Sequence, residues 1–62
     1  MTEFSLAEKI RCVEREINLR RRVYARWVTE GRMKPENAAH EIGCMEAVLA
    51  DLRATEASER LL

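Results

Sequence analysis

The chain has 62 residues, and its eleven Lys/Arg are matched by eleven Asp/Glu, so the formal net charge is zero. A chain this short forms one domain at most and rarely a self-sufficient core, which argues against an enzyme with a deep pocket. The balance argues against a simple polybasic nucleic-acid tail or a strongly acidic mimic. With 47% hydrophobic and 35% charged residues the composition is not that of a disordered chain.

Other classes fall away on motifs. No apolar run approaches the roughly 18 residues that a membrane-spanning helix needs. Met1 to Lys9 lacks a basic segment followed by an apolar one, so no signal peptide is expected. Cys12 and Cys44 are too few for a disulfide scaffold, which makes a reducing, cytoplasmic setting the expected one. There is no Gly-rich phosphate loop, HExxH or CxxC, so no cofactor, metal or catalytic residue is assigned.

The first predicted helix runs from about residue 5 to 30. Ser5 followed by Glu8 fits a capping box, with Thr2 as an alternative N-cap. Leu6, Ile10, Val13, Ile17, Tyr24 and Trp27 fall alternately four and three apart once Arg20 fills the gap, which makes a heptad seam. Val28 widens it. Gly31 can take the left-handed conformation that ends a helix. Pro35 and Glu36 suit the first turn of a second helix, leaving residues 31–34 as a tight turn.

The second predicted helix covers about 35–57, with residues 58–62 as a frayed tail. Its stripe is Ala38, Ile42, Met45, Leu49 and Leu52, joined by Val48. A short turn makes the helices antiparallel neighbours. The pairing expected is Tyr24 near Ile42, Ile17 near Met45 and Leu49, and Ile10 near Leu52. The zero net charge then splits: residues 1–34 carry nine bases and five acids, and residues 35–62 carry two bases and six acids. The fold class is an all-α, antiparallel two-helix hairpin.

A hairpin has no third element to cover its apolar face. Cys12, Leu19 and Val23 form a second stripe on the first helix. Ala39, Gly43 and Ala50, with Ala54 and Ala57, line the back of the second. The expected assembly is a homodimeric four-helix bundle or a higher helical oligomer.

Residues 20–34 contain six bases and one acid, Glu30. Arg20, Arg21, Tyr24, Arg26, Trp27, Arg32 and Lys34 are the candidate binding residues; Arg22 belongs to the same basic cluster but not to that set. Guanidinium forks suit phosphates and carboxylates, and the rings offer stacking surfaces. The competing reading has Arg20 paired at the core edge, the rings capping the bundle and the remaining arginines solvated. Arg20 occupies a seam position and needs a partner, which Glu46, Glu16 or a ligand can supply. His40 and Cys44 share a helical face, but two ligands do not make a structural zinc site, and Cys12 is not placed to join them. Both helices are too long, and a third is missing, for a helix–turn–helix DNA reader.

One stretch carries a resemblance: Val23-Tyr24-Ala25-Arg26-Trp27-Val28, then Gly31-Arg32-Met33, Ala39, Glu41-Ile42 and Met45-Glu46-Ala47-Val48-Leu49-Ala50-Asp51-Leu52. It is similar to a group of short helical proteins of proteobacterial phages and prophages, over roughly residues 8–53. Those proteins often have proline where this chain has Ala25, so the first helix is expected to be straight here. The resemblance implies a non-enzymatic accessory protein. Such a protein would inhibit a host defence or regulatory component, by masking a protein or by sequestering a phosphate-bearing signalling nucleotide. A nucleic-acid-binding role through the Arg20–Lys34 patch and a purely structural role are the alternatives, and a membrane is not among the expected partners.

Overall fold

The Ser5 hydroxyl accepts a hydrogen bond from the Glu8 backbone N–H at 3.1 Å, and Glu8 Oε1 accepts one from the Ser5 N–H at 3.2 Å. This reciprocal capping box starts helix α1, Leu6–Thr29. In the computed structural model, which describes residues 3–61, α1 is followed by one further helix, α2, Pro35–Arg60. The alternative cap Thr2 and the last residue of the expected tail, Leu62, lie outside the described residues. α1 passes through Ala25 without a break.

Gly31, at φ 75°, reverses the chain, and Pro35 opens α2 with Lys34 as its N-cap. The Lys34 side chain makes no capping hydrogen bond; its carbonyl accepts from the Asn37 and Ala38 N–H groups at 3.0 and 3.1 Å. α2 continues three residues past the end expected near residue 57. The apolar stripe stops at Leu52, but Ala54, Glu56, Ala57 and Glu59 are intrinsic helix formers. Arg60 also reaches Glu56 one turn back at 3.6 Å. Local propensity therefore carries the helix where packing does not.

Arg21 pairs with Glu46, and Arg53 pairs with Glu14. As the residue number rises along α1 it falls along α2, so the helices are antiparallel, in the register the two stripes require. Ile10, Ile17 and Ala38 are the buried core. Leu6, Val13, Tyr24, Trp27, Val28, Ile42, Met45, Leu49 and Leu52 are half-buried along the same seam. Val48 departs from the expected stripe: it is 41% exposed, because three residues on from Met45 it turns onto the hairpin's edge. A fully buried Ile stabilises by about 1.5–3 kcal/mol, so two of them give a thin core. The molecule is a rod of 48 × 23 × 16 Å. Among the described residues no helix is long and apolar enough to cross a membrane.

Candidate functional site

The turn after α1 is a Schellman motif. The Gly31 N–H bonds the Val28 carbonyl at 3.1 Å and the Arg32 N–H bonds the Trp27 carbonyl at 2.8 Å. This geometry folds Arg32 back over α1. Its guanidinium lies 5.4 Å from the Trp27 ring centroid. Tyr24, three residues before Trp27 on the same face, stacks on it at 5.6 Å and 27°. Arg20, one turn earlier, lies 6.0 Å from the Tyr24 ring. The four side chains form one ladder, Arg20–Tyr24–Trp27–Arg32, at the turn end of the hairpin. The aromatic pair is thus engaged at both ends by the chain's own guanidinium groups.

The candidate cations separate into two groups. Arg20 Nε donates to Glu16 Oε1 at 2.9 Å, and its Nη1 donates to the Glu41 carbonyl at 3.5 Å. The hydrogen bond to Glu16 raises the Arg20 pKa above the ordinary arginine value. Arg21 crosses to Glu46, and Arg32 reaches Glu30 at 3.4 Å. Of the two carboxylates expected as partners for Arg20, Glu16 takes it, and Glu46 goes to its neighbour Arg21. Among the described residues, Arg22, Arg26 and Lys34 make no ion pair, and neither do Lys9, Arg11 and Arg15.

Four of these unpaired cations share one surface. At about 100° per residue, Arg11, Arg15, Arg22 and Arg26 fall within roughly 60° of each other, on the side of α1 opposite Ile10 and Ile17. All four are exposed. From Arg11 to Arg26 the line is about 22 Å long. The acid in that sector, Glu8, is occupied by its cap with Ser5. At the N-terminal end, exposed Phe4 borders a shallow hollow lined with Glu8, Lys9, Arg11, Cys12 and Arg15. Arg11 and Arg15 were not among the candidates picked from sequence. Their signal is the four-seven-four spacing of arginines along the helix, which the local density of bases at 20–34 does not express.

The remaining candidates lie beside this line or on α2. Cys12, Leu19 and Val23 share one edge of α1, with Leu19 exposed and Val23 half-buried. Ala39 and Gly43 are exposed on α2, and Ala50 lines a groove between the helices with Ile17 and Leu49, beneath the Arg21–Glu46 and Arg53–Glu14 pairs. His40 and Cys44 are exposed, and both cysteines are free. No group of three His, Cys, Asp or Glu placed to hold a metal ion occurs among the described residues. No family model, curated protein or solved structure matches the chain.

Proposed function

We propose that the protein acts by binding, without chemistry of its own, and that its target is an acidic protein surface met by the outward face of α1. The observation that carries this reading is the line of unpaired arginines, Arg11, Arg15, Arg22 and Arg26, opposite the core. Guanidinium groups give charge-assisted, forked hydrogen bonds to carboxylates. Arginine with a neighbouring aromatic such as Phe4 is the composition found at protein interfaces. The face is convex, which suits masking of an extended surface better than enclosure of a small nucleotide. Tyr24 and Trp27 are already stacked with Arg20 and Arg32, so a nucleobase would have to displace one of those guanidiniums. The resemblance to phage and prophage proteins supplies the setting: an accessory protein in the host bacterial cytoplasm that blocks a defence or regulatory component by covering it.

Nucleic acid is the second reading, favoured by the alignment of four guanidiniums along one helix. Salt dependence separates the two. Neutralising about four phosphates on duplex DNA gives a log–log slope near −3.6. Native mass spectrometry of protein purified from bacterial cells tests the first. An acidic protein retained by the natural chain and lost from an R15E/R22E variant supports it. A chain that retains no protein but shifts duplex DNA with that salt slope replaces it with the second reading.

A further inference from the structure

The hairpin has two open sides, where the groove between the helices meets solvent. On one side the Glu14–Arg53 and Arg21–Glu46 pairs bridge the groove over Ile17, Leu49 and Ala50. At about 100° per residue, the other side carries Cys12, Leu19 and Val23 of α1 with Cys44 and Val48 of α2. Among the described residues no ion pair crosses the groove there. Glu16 and Arg20 at its margin satisfy each other. Leu19 and Val48, 43% and 41% exposed, are the large apolar residues that the two helices leave uncovered, and both lie on this side. The register of the two cross-helix pairs puts them level with each other.

The surface area points to an occupant of fixed size. The 7.2 kDa chain exposes 5050 Å². A folded monomer of that mass exposes about 4,100 Å². The surplus, about 900 Å², is close to the roughly 800 Å² per partner of a standard interface. The radius of gyration is 14.5 Å, against about 10.5 Å for a compact chain of this length.

We infer that this side is covered by a second copy of the chain, with α1 of each protomer lying over α2 of the other. Two face-to-face arrangements have twofold symmetry. An axis across the helices sets α1 over the partner's α1, and an axis along them sets α1 over the partner's α2. α1 carries seven bases and three acids, and α2 carries two bases and six acids. The first arrangement lays like charge on like; the second pairs opposite charges in both halves of the interface, and like-charge juxtaposition is what suppresses wrong docking. An axis along the helices keeps heights unchanged, so Leu19 meets the partner's Val48, and this contact occurs twice. Leu19 lies within about 40° of Arg15 and Arg26 around α1, so this interface borders the arginine line; the Leu19 and Val48 variants below keep every arginine, so they read the dimer separately from what that line binds.

Sedimentation equilibrium across a wide concentration range tests this, with far-UV circular dichroism as the check on folding. The natural chain is expected to be dimeric. Leu19→Lys and Val48→Glu should each give a helical monomer, and the L19K/V48E chain should recover the dimer, because each lysine then faces a glutamate of the partner. Leu19→Ser, which adds no charge, should weaken association about tenfold or more, and Asn18→Lys, on the ion-paired side, should leave it unchanged. A natural chain that stays monomeric at every concentration overturns the proposal. A double variant that stays monomeric while helical overturns the arrangement of α1 over α2. If the single charged variants lose helicity, the Leu19→Ser chain decides: an unchanged dimer would remove Leu19 from the interface.

Discussion

The Arg32 guanidinium lies over the Trp27 indole, 5.4 Å from the ring centroid. These are the C″ and C3 positions of the motif that ends α1, where an apolar contact usually closes the turn. Here a cation–π contact takes its place, and it depends on the Gly31 backbone at φ 75°. A Cβ on Gly31 would meet nothing within 4 Å, so the only cost of a side chain there is the left-handed backbone. Gly31→Ala is expected to lower stability by about 1–2 kcal/mol. Gly43 sits inside α2, also with nothing within 4 Å of an added Cβ. Gly43→Ala is expected to raise stability by about 0.5–1 kcal/mol. Urea unfolding of the two variants should therefore move the midpoint in opposite directions; two shifts of the same sign would contradict this account of the turn.

Ile17 is the most buried residue of the seam, at 4% exposure. Truncating a buried Ile to Ala costs about 2–5 kcal/mol. In a hairpin with so thin a core, Ile17→Ala is expected to abolish cooperative thermal unfolding at low protein concentration. Leu49→Ala, half-buried beside it, should retain a transition at reduced temperature. Differential scanning calorimetry of both chains checks the order, and a well-defined transition in Ile17→Ala would show that the stability resides elsewhere.

Features governed by local chemistry were legible in the sequence. The capping box, the Gly31 reversal and Pro35 at the start of α2 each follow from residues within one turn of each other. The seam was legible too, because Ile10 and Ile17 recur seven apart on one face of α1 and Ala38 begins the matching stripe of α2. The fate of each arginine was less so. Arg20 could be matched to Glu16 from a spacing of four, but Arg21 finds Glu46 only once the helices have docked. The bases densest in sequence, at 20–34, are therefore not the least neutralised in space, and the outward line reaches back to Arg11. Val48 looked like a seam residue because it is apolar beside Leu49, yet the helix turns it to the edge.

Arg20 stands where the heptad calls for an apolar side chain, and Glu16 and the Glu41 carbonyl make that tolerable. A half-buried ion pair recovers little beyond the cost of desolvating it. Glu16, at 43% exposure, rehydrates when Arg20 is removed, whereas Arg20, at 26%, is left on the seam without its carboxylate when Glu16 is removed. Arg20→Met, which keeps the length and loses the charge, is expected to leave the unfolding midpoint unchanged or raise it. Glu16→Ala should lower the midpoint, and the R20M/E16A chain should recover most of that loss. Thermal unfolding of the three variants checks this; a fall in Arg20→Met as large as in Glu16→Ala would mean that Arg20 contributes through its charge after all.

The capping box also makes α1 sensitive to acid. Hydrogen bonds from the Ser5 backbone N–H, and secondarily its side chain, hold the Glu8 carboxyl below its ordinary pKa of 4.5. A carboxylate whose pKa is lower folded than unfolded contributes stability that is fully present above the unfolded value. That contribution is lost as pH falls through the folded value, since protonation then removes the acceptor that the Ser5 N–H prefers. Below pH 4.5 the start of α1 should therefore loosen before α2 does. Glu8→Gln keeps an oxygen for the Ser5 N–H but cannot titrate, so this part of the acid sensitivity should vanish while the cap remains. Ser5→Ala keeps the backbone N–H, the larger cause, and removes only the hydroxyl, so it should return the Glu8 carboxyl part of the way toward its ordinary pKa. A side-chain carboxyl NMR titration of Glu8 in the natural and Ser5→Ala chains, with amide exchange of the first turn followed in parallel, reads both effects. Equal Glu8 titration midpoints in the two chains would show that the Ser5 hydroxyl has no part in its acidity.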